Sequence, residues 1–376
     1  MYFEQIPAQF VLFFSLYGGT ALYGLVATIY LYLRKGNAFA SDVTPPIALR
    51  RWTAAFFAVV FLGHVWWLLF YIFSCEIYSV ISIVIAVLDS VALLTTIPGT
   101  MFAMLQDRKR SVWPIALATI PYATLGMLNF VYPDGNFIDI AITYIVVVYV
   151  VFTLYMIFAA RQYGRWLRDN YVDLEHKEVW LSHMLVIIVL LLIIIDGFGS
   201  ANIIIGIFVQ AAEFVLISFL LWRVETLPQL ENTSIEQACC TSEPEPTEET
   251  DSSTQEKQPM AIPSNIEDLL AKRCVKTKLF LQHDLTLLQL ARIVGTNRYY
   301  LSQYFSRQGV TYNAYINDLR INHFMKLYRE AIATQQPIAA QQLASKSGYR
   351  SYSTFSLAFK QRMGQSLTAW MRQTTE

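Results

Sequence analysis

Seven long apolar segments succeed one another in the first 222 residues of this 376-residue chain, and no other feature limits its possible folds as much. They cover residues 10–33, 52–73, 77–105, 112–131, 140–160, 179–195 and 201–222. Most reach the ~20 residues that an α-helix needs to cross the hydrocarbon core of a bilayer. A soluble core can bury one such helix, but it cannot bury seven in succession. The segments therefore predict a bundle of seven transmembrane helices.

Basic residues in the connecting loops predict the orientation of this bundle. The loops after segments one, three and five contain eleven of them: Arg34, Lys35, Arg50, Arg51, Arg108, Lys109, Arg110, Arg161, Arg165, Arg168 and Lys177. The N-terminal tail and the loops after segments two, four and six contain none. Because basic loops remain in the cytoplasm, we expect the N-terminus outside and the C-terminus inside. The N-terminus lacks the basic region that opens a cleavable signal peptide, so segment one is expected to be retained.

The net charge of zero hides a segregation of charge along the chain. Residues 1–224 are nearly neutral, with 12 Lys or Arg and 13 Asp or Glu. Residues 225–260 carry nine acidic residues and one lysine in a Ser-, Thr-, Pro- and Glu-rich composition that cannot fold alone. Residues 261–376 carry 15 basic and six acidic residues, which indicates a polyanionic partner. The sequence thus predicts a membrane domain, a disordered acidic linker and a basic C-terminal domain.

Two acidic residues near the middle of predicted spans are candidates for sensing a signal in the membrane. Asp89 lies in the third segment and Glu213 in the seventh. Ionisable groups at this depth are costly, and they often mark a ligand or ion path. The alternative is that each hydrogen-bonds to a neighbouring helix and only fixes packing. The same alternative applies more strongly to His64 and His183.

Motifs of enzymes and metal sites do not occur in the sequence. It contains no HExxH, GxSxG or Walker motif. The four cysteines, Cys75, Cys239, Cys240 and Cys274, do not have the spacing of metal ligands. We therefore expect no enzymatic activity, no metal and no cofactor.

The stretch "LTLLQLARIVGTNRYYLSQYF", residues 285–305, predicts two helices joined by a tight turn. Gly295 suits a left-handed turn conformation, and Asn297 is a favourable N-cap for the second helix. Leu301 and Phe305 form the buried stripe of that helix, which leaves its polar side chains facing outward. Cationic, aromatic and amide groups on a solvent face are suited to contact bases and phosphates.

The same pattern recurs in "QLASKSGYRSYSTFSLAF", residues 342–359, with one additional residue in the turn. Matched positions in the two copies are Gln289 and Gln342, Leu290 and Leu343, Ala291 and Ala344, Gly295 and Gly348, Leu301 and Phe355, and Phe305 and Phe359. The stretch "YNAYINDLRINHFMKLYREAI" between the copies predicts one connecting helix, with core candidates Tyr315, Leu319, Phe324 and Leu327.

These motifs resemble the AraC/XylS-type DNA-binding domain. The resemblance covers about residues 266–376 and includes "LTLLQLA", "YYLSQYF", "YINDLRI", "QLASKSGY" and "FSLAFKQRMGQSLTAW". It implies two helix-turn-helix units, held by a linker helix, whose reading helices at about 297–306 and 351–359 enter successive major grooves. By position, it implies DNA contacts by Arg298, Tyr299, Ser302, Gln303 and Ser306 in the first unit, and by Tyr352, Ser353, Thr354 and Ser356 in the second.

Three positions depart from the family pattern. Leu367 stands where proline is usual, and Phe324 stands where a small residue is common. Leu357, on the outward side of the second reading helix, replaces a residue that is often polar or basic. We therefore expect the second unit to bind mainly phosphates, while the first unit reads bases.

The sequence as a whole predicts an all-α, membrane-bound transcription regulator with domains 1–224, 225–260 and 261–376. It is expected in a bacterial inner membrane, with a cytoplasmic C-terminal domain. The expected partners are double-stranded DNA, membrane lipid and an unidentified small-molecule or protein signal, and a homodimer is left open. Two alternatives remain, namely a transporter or channel with a DNA-binding appendage, and a regulator released by proteolysis. The linker serves as a spacer or competes with nucleic acid for the basic domain.

Overall fold

The computed structural model of the chain describes residues 7–34, 37–38, 44–72, 80–132, 135–198, 202–230, 266–334 and 339–375. These residues form helices and one isolated bridge, so the predicted all-α fold is confirmed. They divide into two compact units, Met1–Tyr163 with Val179–Thr241, and Gly164–Glu178 with Ser242–Glu376. Most of the predicted linker, residues 231–260, lies outside the described residues.

The seven predicted apolar segments all form α-helices, which we number in chain order: α1 Ala8–Leu33, α2 Ile47–Ile72, α3 Val80–Met104, α4 Trp113–Val131, α5 Phe137–Asn170, α6 Trp180–Phe198 and α7 Ile203–Thr226. Six of them, α1 to α5 and α7, are long and apolar enough to cross a membrane. The apolar stretch of α6, Trp180–Ile193, is shorter. Six helices therefore support a multi-pass membrane region, and the predicted total of seven spans stays a prediction.

The helices of the first unit pack closely against one another and expose many large apolar side chains. Helix α1 packs against α2 and α7, α2 packs against α3, and α3 packs against α4. Close packing is visible at Gly99 of α3, where an added Cβ would lie 2.2 Å from the Trp52 ring of α2. Leu22, Leu88 and Leu154 are 62%, 62% and 63% exposed. Large apolar side chains over so much of the surface are suited to lipid, because water would make this exposure costly.

The residues that follow α7 are held against the first unit. Leu227 and Leu230 are buried. The Gln106 side chain donates a hydrogen bond from Nε2 to the Pro228 carbonyl at 3.0 Å and accepts one from the Leu230 amide at 2.8 Å. The beginning of the predicted linker, residues 225–230, is thus folded with the first unit.

The second unit contains the remaining described α-helices, which are α8 Ile266–Leu270, α9 Leu287–Val294, α10 Arg298–Arg307, α11 Tyr312–Ala333, α12 Ala340–Lys346, α13 Tyr352–Met363 and α14 Leu367–Thr375. Helices α9 and α10 form one helix-turn-helix, and α12 and α13 form the other. Helix α11 connects them. Both copies of the sequence repeat therefore fold as predicted.

Local sequence accounts for the boundaries of these helices. Thr286 and Gln289 form a capping box at the start of α9, which satisfies backbone amides that have no helical partner. Gly295 and Gly348 occupy matching turn positions with φ of 83° and 89°, a conformation that favours glycine. A Cβ at Gly348 would also approach the Leu281 backbone within 2.8 Å. Glycine is thus required at Gly348 for two independent reasons.

Each helix-turn-helix has its own hydrophobic core. The first core includes Leu290, Leu301 and Phe305, and the second includes Phe324 and Leu367. Phe324 is fully buried, with its ring centroid 4.5 Å from that of Phe355. The two departures from the family pattern at positions 324 and 367 therefore fill the second core.

Candidate nucleic-acid interface

The first reading helix, α10, begins as the sequence predicts. Asn297 is its N-cap and accepts a hydrogen bond from the Tyr300 amide at 2.9 Å. Leu301 and Phe305 are buried, whereas Tyr299 is 65% exposed. Ser306 is exposed as well, and Ser302 is partly exposed. The outward surface of α10 is thus polar and aromatic, as contacts to DNA require.

Gln303 differs from its neighbours on the same helix. Its side chain is partly buried, and the buried Oε1 atom accepts no hydrogen bond within the described residues. A buried amide oxygen without a donor is unfavourable by about 1–3 kcal/mol. The side chain therefore gains by turning toward a donor, and the exocyclic amino group of adenine is one that glutamine recognises.

Arg298 is held by another part of the same unit. Its side chain is partly buried, and Nε donates a hydrogen bond to Asn170 Oδ1 at 2.9 Å. Burial lowers the pKa of the Arg298 guanidinium, which remains charged because arginine does not deprotonate in proteins. The sequence predicts that the Arg298 side chain faces outward. In the structure this side chain is instead hydrogen-bonded to Asn170 and partly buried.

The second reading helix, α13, presents a different surface. Ser351 is its N-cap and accepts from the Thr354 amide at 3.2 Å. Tyr352 and Ser353 are exposed, and Thr354 and Ser356 are partly exposed. Leu357 is 60% exposed, so an apolar side chain does occupy the outward face. The predicted difference in DNA contacts between the two reading helices stays a prediction.

Residues 164–178, which we call the docking segment, belong to this second unit. Val172 is only 2% exposed and forms part of the first helix-turn-helix core. Tyr171 forms an antiparallel bridge with Thr286, and Asn313 Nδ2 donates to the Tyr171 carbonyl at 3.1 Å. The segment is therefore built into the first helix-turn-helix through both apolar and backbone contacts.

The docking segment also reaches the start of α13. Glu175 Oε2 accepts hydrogen bonds from the Ser351 hydroxyl at 2.7 Å and from the Thr354 hydroxyl at 3.0 Å. The Ser351 hydrogen bond lowers the pKa of the Glu175 carboxyl, against the opposing effect of burial. Lys177 Nζ lies 3.3 Å from Asp284 Oδ1 and supports the same arrangement. Neither Asn170 nor Glu175 carries a sequence signal for these contacts, because both pairings join residues that are distant in the chain.

Basic side chains that could bind DNA phosphates are well distributed in the second unit. Arg320 is an exception, since it is 2% exposed and donates from Nε to the Phe280 carbonyl at 2.7 Å. Most of the others are exposed: Lys272, Lys276, Lys278, Arg307, Lys346, Arg350, Lys360 and Arg372. Their charge is available to replace the counterions that surround a duplex.

The polar residues of the first unit meet between its helices. His64 Nε2 lies 3.4 Å from Glu213 Oε2 and 3.0 Å from Gln210 Oε1. His64 Nδ1 faces the Val60 carbonyl at 2.8 Å, and Tyr17 donates to the His64 carbonyl at 2.9 Å. Both ring nitrogens thus face oxygen atoms of neighbouring groups. Helices α1, α2 and α7 are joined at this polar cluster.

Asp89 of α3 lies next to the same turn of α2. Both of its carboxylate oxygens are 3.2 Å from the position that a Cβ on Gly63 would take. Gly63 directly precedes His64, which contacts Glu213. The two predicted sensing residues, Asp89 and Glu213, therefore approach neighbouring residues of α2. Sequence reasoning ranked His64 below them and did not consider Gln210 or Tyr17. Among the described residues, no group of three or more His, Cys, Asp or Glu side chains could hold a metal ion.

Comparison with known families assigns the second unit. A family model described as "Helix-turn-helix domain" matches residues 290–373, which span both helix-turn-helix units from α9 to α14. No curated protein and no solved structure matches the chain significantly. Residues 290–373 of this chain therefore match the AraC-type helix-turn-helix family, on a polypeptide that also carries six apolar helices of membrane-spanning length.

Proposed function

We propose that the chain is a membrane-bound transcription regulator that binds double-stranded DNA through α10 and α13 and responds to a signal in its membrane domain. One observation carries the proposal. A DNA-binding domain is covalently joined to six helices that are apolar and long enough to cross a membrane. Such a chain can contact promoter DNA and a membrane signal without any intermediate protein.

Two observations support a cytoplasmic C-terminal domain in a bacterial inner membrane. The eleven basic loop residues all follow segments one, three and five. The docking segment, which connects α5 to α6, folds with the DNA-binding domain. Contact of this kind requires the segment and the domain to be on the same side of the membrane, which is the side that holds the DNA.

The nine predicted DNA contacts divide between affinity and selection. Arg298 and Gln303 have the hydrogen-bonding groups that discriminate bases. The second set, Ser353, Thr354, Ser356 and the exposed ring of Tyr352, is suited to phosphate and sugar contacts. Selection of an operator is therefore assigned mainly to α10, and α13 adds affinity.

Signal reception is assigned to the polar cluster of Tyr17, His64, Gln210 and Glu213, with Asp89 beside it. A buried pair of ionisable groups is costly in an apolar environment unless it is closely matched. A polar ligand bound at this cluster would therefore alter how α1, α2 and α7 fit together. Lipid surrounds this domain as its solvent, and a second copy of the chain is compatible with the proposal.

The proposal is tested with full-length protein in washed membrane vesicles that contain no released fragment. Genomic sites bound in cells are mapped first, and a duplex from one of these sites is then titrated with the vesicles. Retardation of the duplex by vesicles carrying the intact chain is the expected result. Vesicles carrying a chain that ends after residue 230 provide the matched control and should not bind. Binding only by a soluble fragment would instead indicate a regulator released by proteolysis.

A transporter or channel is the second candidate, and the buried contact between His64 and Glu213 favours it. An ion path needs ionisable groups at membrane depth, and this pair supplies two of them. Proteoliposomes of the purified chain distinguish the two functions. Proton or cation flux that Glu213→Gln abolishes would favour transport, and DNA binding without flux would favour the regulator.

A further inference from the structure

The docking segment occupies both places where the DNA-binding domain is expected to meet DNA. Asn170 accepts the hydrogen bond of Arg298 in the first turn of α10, and Glu175 accepts those of Ser351 and Thr354 in the first turn of α13. One short stretch of chain thus engages both reading helices. The segment comprises the C-terminal end of α5, residues 164–170, and the loop residues 171–178 that lead to α6.

At α10 the segment competes for a base-reading group. An arginine reads guanine through two parallel hydrogen bonds from its guanidinium. In this structure Arg298 Nε already donates a hydrogen bond to Asn170 Oδ1, and the side chain is partly buried. This hydrogen bond and the partial burial restrain the Arg298 side chain against reaching a base edge.

At α13 the segment competes for a phosphate-binding position. The N-terminus of a helix attracts anions, because its first amides lack helical partners and the helix dipole is positive there. The Glu175 carboxylate occupies this end of α13 through the hydroxyls of Ser351 and Thr354. A DNA phosphate at the same place would be repelled by the carboxylate and would lose these two donors.

We propose that the docking segment is an internal competitor of DNA, which holds the DNA-binding domain in an inhibited state through Asn170 and Glu175 until a signal withdraws it. The inference rests on the proposed function, since it requires that α10 and α13 bind DNA. The observation that favours inhibition over mere support is the choice of atoms, because both contacts use groups that DNA needs.

The attachment of the docking segment to α5 and α6 gives the signal a direct route. A rearrangement that displaces α5 relative to α6 pulls on both ends of the segment. DNA and the segment then bind the same domain in opposition, so each must weaken the other by the same factor. This reciprocity makes the inference testable from both directions.

The first experiment measures the affinity of full-length protein in lipid nanodiscs for a labelled random-sequence duplex at one fixed salt concentration. Glu175→Gln keeps the size of the side chain but removes the charge, and Asn170→Ala frees Arg298. Each variant should bind the duplex about tenfold more tightly, as the loss of one charge-assisted hydrogen bond implies. Glu330→Gln is the matched control, because it removes one exposed carboxylate of α11 outside the docking segment. It should leave the affinity within about twofold.

The outcomes separate this inference from the proposed function. Unchanged or weaker binding by Glu175→Gln and Asn170→Ala, with normal binding by the wild type, would overturn the competitor and leave the regulator standing. If no form binds the duplex, both proposals fail. An equal gain by Glu330→Gln would attribute the effect to general charge and would also overturn the competitor.

The second experiment uses wild-type protein and avoids any effect of substitution on folding. Lys177 is 8% exposed, with Nζ bonded to the Asp173 carbonyl at 2.7 Å, so trypsin should cut after it slowly. Duplex should accelerate this cleavage severalfold, because DNA displaces the segment. Cleavage after exposed Lys109 of the first unit is the reference site. Duplex that protects Lys177, or that leaves its cleavage rate unchanged, would show that the segment supports the DNA-bound state.

Discussion

The Glu175 carboxylate accepts a hydrogen bond from Ser351 at 2.7 Å, and Ser351 is the N-cap of α13. This contact joins the loop between α5 and α6 to a helix assigned to DNA binding. The serine hydroxyl donates to the Glu175 carboxylate, and its oxygen also accepts a hydrogen bond from the Thr354 amide. A cap of this kind stabilises the helix by about 1 kcal/mol. The same few atoms therefore fix the start of α13 and its response to an anion.

The two reading helices should contribute unequally to operator selection. Replacing Arg298 and Gln303 together with Ala should reduce the preference for operator over scrambled duplex, since bidentate base contacts each discriminate by about 1–3 kcal/mol. Replacing Ser353 and Ser356 should weaken binding to both duplexes by similar, smaller factors. Competition titrations of each variant at one salt concentration measure the difference. If the serine variant loses discrimination and the Arg298 variant keeps it, base reading belongs to α13.

The second helix-turn-helix should depend strongly on Phe324. Its ring is fully buried among Tyr328, Phe355 and Phe359. Phe324→Ala should destabilise this core by about 3–5 kcal/mol, because it removes buried surface and leaves a cavity. Hydrogen exchange of the α13 amides in the full-length chain measures the loss. Leu357→Ala, at an exposed position of α13, should change the stability by no more than about 0.5 kcal/mol. Equal losses of stability in the two variants would contradict this packing.

The Cys274 thiol should be inert in the folded protein. It is completely buried, and burial raises its pKa to about 11. At pH 8 the thiol is protonated and out of reach, so iodoacetamide should modify it only after denaturation with urea. Mass spectrometry of the peptide that contains Cys274 measures the modification. Because the pKa of the buried thiol is raised, folding favours its protonated form. This contribution to the free energy of unfolding is present at neutral pH and is lost as the pH rises toward 11. Rapid modification of the native chain at pH 8 would contradict the burial.

The polar cluster of the first unit should control the signal response without affecting DNA contacts. Glu213→Gln removes the charge opposite His64, and Asp89→Asn removes the one beside Gly63. Each should alter transcription from the mapped promoter in cells. When either substitution is added to the Glu175→Gln variant, the affinity of that variant for operator DNA should remain unchanged. Normal signalling by both variants would assign these residues to packing alone.

The orientation of the membrane domain should follow the basic loops. A reporter fused after residue 240 should report cytoplasm, and one inserted at residues 132–137 should report the exterior. Reporter activity of each fusion in cells provides the measurement. A cytoplasmic signal from the insertion at 132–137 would reverse the topology and separate the DNA-binding domain from its DNA.

The sequence by itself determined the elements whose causes are local. Asn297, Gly295 and Gly348 act on neighbouring backbone groups, so the turns and caps of both helix-turn-helix units could be predicted from residue type and spacing. The apolar segments likewise required only length and composition. The repeat was visible because each copy encodes its own small core.

Tertiary structure decided which side of α11 is buried. The predicted core candidates included Tyr315, Leu319 and Leu327, but these are only partly buried. The fully buried positions include Ile316, Arg320 and Tyr328, together with the correctly predicted Phe324. The helix has apolar residues on adjacent faces, and only the packing of its neighbours chooses between them. An arginine in the core could not be predicted at all, because its partner, the Phe280 carbonyl, is 40 residues away.

The contacts of the docking segment depend entirely on the folded arrangement of distant parts of the chain. Its sequence reads as a short loop between two apolar helices, with basic residues that agree with a cytoplasmic location. Nothing in it predicts that Val172 enters the core of a domain whose described part begins at Ile266, or that Glu175 meets α13. Helix caps and apolar spans arise from interactions within a few residues, so sequence encodes them directly. Contacts between distant segments depend on where the folded chain brings them, and residue type alone does not determine that position.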